Sequence, residues 1–337
     1  MQTATSLREA PENGSRKRAL VFLKSLEGLT PLWWIWLLLV SVFVLNCIWI
    51  AASPNLHFAA GWFESRSLVL IGLACAVAYR QLRAHVFDRL LDTLFKLMMF
   101  LIFTVFVKEN MHIFNCLLTS LGYPIADALL HFADRALGFD WNAYTAAVLA
   151  HPPLTKALVY AYDHAGKICI LLGIIFILFQ RDDRLNEIAY LGLVTALVCI
   201  VIAAFFPAEA AWKTVGDPEI LSRFGGDPYP GWLNTLHALR GGEHLFLDPK
   251  DMGGLASFPS FHTCLGVMVA WCSRGHWATL AAGSVFGLCV IAATPIFGSH
   301  YLVDILAGAI VAIVAISVWH RPWRVAKGAA RPEFTKL

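Results

Sequence analysis

The sequence predicts an all-α integral membrane protein with about eight transmembrane helices. Three observations carry that expectation. The chain has 337 residues, of which 58% are hydrophobic and 15% charged, with a mean hydropathy of +0.64. A soluble domain is nearer to about half apolar and roughly a quarter charged. Apolar runs long enough to cross a bilayer, about 20 residues each, recur along the chain. Lysine and arginine, finally, cluster between alternate runs.

The runs fall at about 32–52, 63–80, 90–107, 155–179, 186–206, 261–276, 278–297 and 300–319. The first follows a charged stretch containing Arg16-Lys17-Arg18 and lacks a small-residue cleavage site, so it reads as a retained helix. With eight crossings, seventeen Lys/Arg fall on one side, in short links and in the two tails. The other side holds eight, six spread over longer loops and two, Lys156 and Lys167, in the outer half of the fourth run. The positive-inside rule then puts both termini in the cytoplasm, and loops 53–62, 108–154 and 207–260 on the periplasmic or luminal side. Small residues, as in Gly283-Ser284 and Ala307-Gly308-Ala309, predict close helix packing. None of the eight cysteines forms C-x-x-C, and all but Cys116 lie inside apolar runs, so they read as packing residues. The net charge of +3 gives no ground for a nucleic-acid partner.

Within loop 108–154, Ile125, Leu129, Ala133 and Leu137 recur at helical spacing opposite Asp127, His131, Asp134 and Arg135. This predicts an amphipathic helix on the membrane surface. The fourth run opens with Asp163, His164 and Lys167, costly so close to hydrocarbon; Asp163 and Lys167 are spaced to pair. His164 and Lys167 are therefore candidate substrate contacts.

Two helix starts carry the chemistry. In Ser257-Phe258-Pro259-Ser260-Phe261-His262-Thr263, Ser257 or Ser260 can cap a helix that has His262 in its first turn. Helix-start amides attract anions. In Gly298-Ser299-His300-Tyr301-Leu302-Val303-Asp304, His300 and Asp304 are four apart, a neighbour spacing on a helix. A carboxylate on one ring nitrogen fixes the tautomer and leaves the other nitrogen basic. One hairpin separates the two motifs, which brings both histidines to one surface. One histidine can then attack phosphorus while the other protonates the departing oxygen. Lys213 and Arg240 in loop 207–260 are candidate phosphate contacts.

The two motifs together resemble the type-2 phosphatidic acid phosphatase superfamily, whose motifs are K-x6-R-P, P-S-G-H and S-R-x5-H-x3-D. Pro259-Ser260-Phe261-His262 matches the second with Phe261 in place of glycine; His300 and Asp304 match the core of the third, whose Ser-Arg positions hold Ala293 and Thr294. The first motif is missing from its place. Arg324-x6-Arg331-Pro332 lies after the third and reads as a decoy. Phe-Pro-Ser-x-His followed by Gly-x-His-Tyr-x-x-Asp resembles the inositol phosphorylceramide synthase branch, with Phe206-Pro207 through Trp212-Lys213 standing where that branch has its first motif.

The resemblance covers about residues 90–320 and implies a six-helix lipid-phosphatase-like core made by the last six spans. Residues 1–31 and 321–337 would be cytoplasmic tails, and 32–89 two accessory helices. It implies His300 as the nucleophile that becomes phosphohistidine, His262 as general acid and Asp304 as the residue that orients His300. Ser260, Arg240 and Lys213 would bind phosphate, and Phe261, Tyr301, His164 and Lys167 would contact substrate. It implies no metal and no cofactor. The expected activity is transfer of a phosphoryl or phospho-headgroup from a phospholipid or lipid phosphate, to a lipid hydroxyl as in an inositolphosphotransferase or to water as in a phosphatase. The alternative is a non-enzymatic membrane transporter or lipid-binding protein, for which no inverted repeat speaks.

Overall fold

The computed structural model describes residues 33–59, 71–72, 79, 89–223, 230–248 and 255–321. The predicted span 63–80 lies almost wholly outside them, as do residues 1–31, Cys75, Lys250 and the segment Arg324–Pro332.

Among the described residues, six helices are long and apolar enough to cross a membrane. They are α1 (Trp33–Ala52), α2 (Arg89–Thr119), α5 (Pro152–Leu178), α6 (Asp182–Phe205), α11 (Trp277–Phe297) and α12 (Leu302–Trp319). Between them lie α3 (Asp127–Ala136), α4 (Trp141–Leu149), α7 (Ala211–Val215), α8 (Pro218–Ser222), α9 (Pro230–Gly241) and α10 (Phe261–Cys272). Leu37, Ile48, Val285, Leu288 and Ile310 point outward on the bundle. Helices whose backbone bonds are internal and whose outer surface is apolar suit hydrocarbon. The protein is an all-α integral membrane protein.

Two spans differ from their sequence reading. Helix α2 does not stop near residue 107 but runs to Thr119. Its later polar residues are buried and partnered: Asn110 donates to the Phe106 carbonyl at 2.8 Å, and Asn46 of α1 donates to the Asn110 carbonyl at 3.1 Å. Helix α10 ends at Cys272 rather than 276. Its 12 residues reach about 18 Å, short of a hydrocarbon core of about 30 Å. It packs against α5, α6, α11 and α12, so protein rather than lipid surrounds it.

A two-stranded parallel ladder, β1 (Leu56–Phe58) with β2 (Leu245–Leu247), was not foreseen. It ties the segment after α1 to the segment after α9, helped by Asn55 donating to the Gly242 carbonyl at 2.8 Å. The described cysteines are free thiols, buried or half-buried, Cys116 among the buried.

The bundle end away from His262 and His300 is closed by a charged knot. Glu187 of α6 is buried and accepts from Arg274 at 2.6 and 2.7 Å and from the Trp271 indole at 2.8 Å, with His320 also at 2.8 Å. Arg184 donates to the carbonyls of Cys272 and Arg274. A buried carboxylate is tolerated when this many donors meet it. The knot fixes where α6, α10 and α12 sit, and so the alignment of their other ends.

Candidate active site

The site grows from two helix starts that the fold brings together. Ser260 is the N-cap of α10, its Oγ accepting from the Thr263 amide at 3.3 Å, and this places His262 in the first turn. His300 lies just before α12, whose N-cap is Tyr301. Asp304, in the first turn, reaches back: its Oδ2 accepts from the Tyr301 amide at 3.1 Å and from His300 Nδ1 at 3.0 Å. The pair is thus formed by helix capping rather than along one helix face, because His300 is outside the helix. Ser257 donates to the same Oδ2 at 2.9 Å. The Ser260 amide donates to the Asp304 carbonyl at 2.9 Å, joining the two starts through the backbone.

With Nδ1 engaged, Nε2 is the imidazole nitrogen that His300 presents to the cavity it lines. That cavity, about 830 Å3, is also lined by His262, Ser257 and Phe261. His262 stacks on Tyr162 of α5, ring centroids 3.9 Å apart. A β-carbon at Gly298 would lie 2.5 Å from His300 Cδ2 and 2.7 Å from the Tyr162 hydroxyl, so Tyr162 stands between the histidine segments and only glycine leaves it room. The cavity runs inward between α2, α5, α6 and α10 as far as Phe100 and Ile188, its walls mostly apolar. From Asn115 to Phe100 the helical rise makes it about 22 Å deep.

The approach of α12 to α10 is equally close. A β-carbon at Gly308 would lie 2.3 Å from the Ser260 carbonyl oxygen, a backbone atom that cannot swing away. Gly308→Ala should therefore part the two helix starts. The expected cost is about 1–3 kcal/mol of stability, and about ten- to hundredfold in turnover from misplacing the histidines. Thermal unfolding in detergent with an activity assay checks this; an unchanged melting temperature and rate would refute the close-approach argument.

Residues that the sequence left on the surface hold the site up. The sequence sets Asp127 and Asp134 on the polar side of an amphipathic helix at the membrane surface, with nothing to say what that side meets. That side meets protein: both carboxylates are buried, while Leu129, Phe132 and Leu137 are exposed. Asp134 accepts from the amides of Leu302 and Val303 at 2.8 and 3.0 Å and so caps α12. Burial pushes its carboxyl above the ordinary carboxylate range; the two amides oppose that rise, and the Asp304 charge adds to it. Asp127 accepts from the amides of Glu209 and Ala210, the Thr214 hydroxyl and the Tyr301 hydroxyl. Burial raises the Tyr301 phenol well above its usual range, and the charges of Asp127 and Asp304 act in the same direction, so it stays a donor. Ser299 completes the join: its carbonyl accepts from the Ala211 amide at 2.9 Å and its hydroxyl from the Trp212 amide at 3.1 Å.

The structure therefore brings His262, His300, Asp304, Phe261 and Lys167 to the cavity or its edge and leaves other candidates elsewhere. Ser260 is fully buried and spent on capping; Ser257 and Ser299 are the described serines that line the cavity. Lys213 pairs with Glu209 at 2.9 Å, and Arg240 donates to the Tyr123 carbonyl at 2.6 Å; neither lines the cavity. Tyr301 is buried against Asp127, and His164 stacks on Tyr160 while bonding its carbonyl at 2.9 Å. Asp163 and Lys167 both line the cavity without forming the ion pair that their spacing allows. Lys108, which sequence reasoning passed over, also lines it.

No curated protein and no solved structure matches the chain. One family model does, over residues 128–318, a stretch that begins in α3 and ends in α12 and so takes in both histidine segments and most of the cavity wall. More than half of the sequence is covered, and the chain belongs to the PAP2 superfamily.

Proposed function

We propose that the chain is a membrane lipid phosphotransferase that works through His300, with a lipid hydroxyl as its preferred acceptor. Membership in the PAP2 superfamily supports lipid phosphatase or phosphotransferase activity in general. The observation that carries the reading is a histidine held by a buried carboxylate, His300 Nδ1 to Asp304 Oδ2 at 3.0 Å, at one end of a deep apolar cavity. Acyl chains fill such a space; a soluble phosphate ester gains nothing from it.

In the proposed reaction His300 Nε2 attacks phosphorus as the bond from phosphorus to the leaving oxygen breaks. His262 hands a proton to that oxygen; burial and the neighbouring His300 push its pKa down to about 3, so that proton is one taken up with the entering phosphate. The acceptor hydroxyl then attacks the phosphohistidine, the P–N bond breaks, and the acceptor proton returns to His262. Asp304 keeps the proton on Nδ1 and favours the positive charge that develops on the ring. Apolar walls favour a lipid hydroxyl over water as acceptor, which is why transfer is preferred to hydrolysis here. The excess of Lys/Arg in the links at the other end supports placing this site on the periplasmic or luminal face.

The test is incubation of purified protein with phosphorus-labelled phosphatidic acid or phosphatidylinositol, with and without diacylglycerol or ceramide. Label in a new lipid supports transfer. Label in free phosphate alone would replace the transferase reading with a phosphatase. No movement of label with any pairing, from protein that is folded, would sink both.

A further inference from the structure

The third motif of the superfamily carries an arginine that this chain lacks. The matching residues, Ala293 and Thr294, are fully buried in α11, so no cation can be presented from there. The segment in the place of the first motif has its lysine, Lys213, engaged by Glu209. A phosphoryl group beside His300 would still need positive charge as negative charge builds on its oxygens.

Among the described residues, the lysines and arginines that line the cavity are Lys108 and Lys167. They come from different helices, α2 and α5, and both are exposed; Lys108 lies seven residues, about 10.5 Å, inward of Asn115 along α2. Neither makes an ion pair with a described carboxylate. On the same side of the bundle Arg240 is committed to the Tyr123 carbonyl and Lys213 to Glu209, while Lys96, Arg184 and Arg274 are paired at the far end. Lys167 lies five residues along α5 from Tyr162, whose ring stacks on His262. That is about 7.5 Å of helical rise, a gap that a lysine side chain bridges. Further inward the seam between α2 and α5 closes where Phe100 packs on Gly173, at the inner end of the apolar walls.

We propose that Lys108 and Lys167 together hold the phosphate of an anionic phospholipid next to the histidines, in place of the motif cations that this chain lacks, with the acyl chains in the apolar cavity. The pairing suits a doubly contacted phosphate: two ammonium groups from two neighbouring helices reach different oxygens, each as a charge-assisted bond. The assignment rests on the proposed function for the chemistry that follows binding, but its test does not depend on turnover.

The experiment measures equilibrium binding of phosphatidic acid, of diacylglycerol with the same chains, and of glycerol phosphate. It uses His300→Ala protein in detergent micelles, so that nothing is consumed. Each of Lys108→Gln and Lys167→Gln should weaken phosphatidic acid binding by about tenfold or more, and the double variant by more than either. Diacylglycerol binding should stay within about twofold, and Lys108→Arg with Lys167→Arg should restore phosphatidic acid binding to within a few fold. Phosphatidic acid binding that survives the double Gln variant would overturn the proposal, as would an equal loss for diacylglycerol. Glycerol phosphate bound as tightly as phosphatidic acid would overturn the lipid part. Failure of the proposed reaction shows separately, as turnover that persists in His300→Ala.

Discussion

His300→Ala should abolish phosphoryl transfer, with a loss on the order of a million-fold, and Asp304→Asn should cost on the order of ten-thousand-fold. The two numbers differ for a physical reason. Removing the imidazole removes the atom that bonds to phosphorus. Removing the charge of Asp304 leaves that atom in place but takes away its orientation. An asparagine would present either a carbonyl or an amide to His300 Nδ1. The amide would force the proton onto Nε2, the nitrogen that must attack. Even with the carbonyl toward it, the ring would lose the negative charge that steadies it as it becomes cationic. Asp304 also accepts from Ser257 and from the Tyr301 amide, so asparagine must choose among three donors that a carboxylate oxygen serves at once. Both variants should fold, because the bonds of Asp134 to α12 and the Glu187 knot do not involve them. The readout is label transfer from phospholipid, with the melting temperature measured alongside. A second readout separates the roles. Wild type quenched during turnover should carry label that survives base and is lost in acid, as a phosphoramidate does, and His300→Ala should carry none. Wild-type rates in His300→Ala would remove it from the mechanism; wild-type rates in Asp304→Asn would reduce Asp304 to a helix cap.

How much of this could be read from the sequence depended on whether the signal was local. Long apolar runs and the two helix starts are local patterns, and the helices fall close to them. The His300–Asp304 neighbourhood was also readable from spacing, although the geometry that joins them is a cap and not a helix face. What could not be read was which way a polar group points when lipid is one of the solvents. An amphipathic segment in a soluble protein turns its apolar face inward. At a membrane both directions are open, since an apolar face can meet lipid while the polar face meets protein. Helix α3 does the second, with Phe132 71% exposed and Asp134 buried. The cations failed in a related way. Lys213 and Arg240 are in the right loop, but a nearby carboxylate and a backbone carbonyl reach them first. Lys108 follows directly on the apolar run 90–107, where a charge ordinarily flanks a span. The helix continues past it because Asn110 and Asn115 are buried, which turns Lys108 from a flanking charge into part of a wall.

Asp127→Ala should be among the most damaging substitutions outside the catalytic groups, with a loss of about 3–5 kcal/mol. The carboxylate is 4% exposed and accepts four hydrogen bonds, from the amides of Glu209 and Ala210 and the hydroxyls of Thr214 and Tyr301. Alanine leaves those donors facing a void. A hydrogen bond made in the fold nets little against water, but a buried donor left unmade bears its full desolvation cost, about 1–3 kcal/mol for each group that cannot relax. The damage should also be functional. Tyr301 adjoins His300, and the segment 209–214 adjoins Ser299, so loosening both frees the loop that aims the imidazole. Asp127→Asn sets the scale. It keeps one acceptor oxygen and the side-chain volume, but its amide must face a donor, either the Glu209 amide or the Tyr301 side, so the loss should fall between wild type and alanine. Melting temperatures in detergent should rank wild type above asparagine above alanine, with transfer activity in the same order. Restored activity in Asp127→Ala at low temperature would assign the role to stability alone. A melting temperature for Asp127→Ala equal to wild type would show that the four bonds do not hold the loop, and that the two histidine segments are aligned by the α10–α12 contact without help from α3.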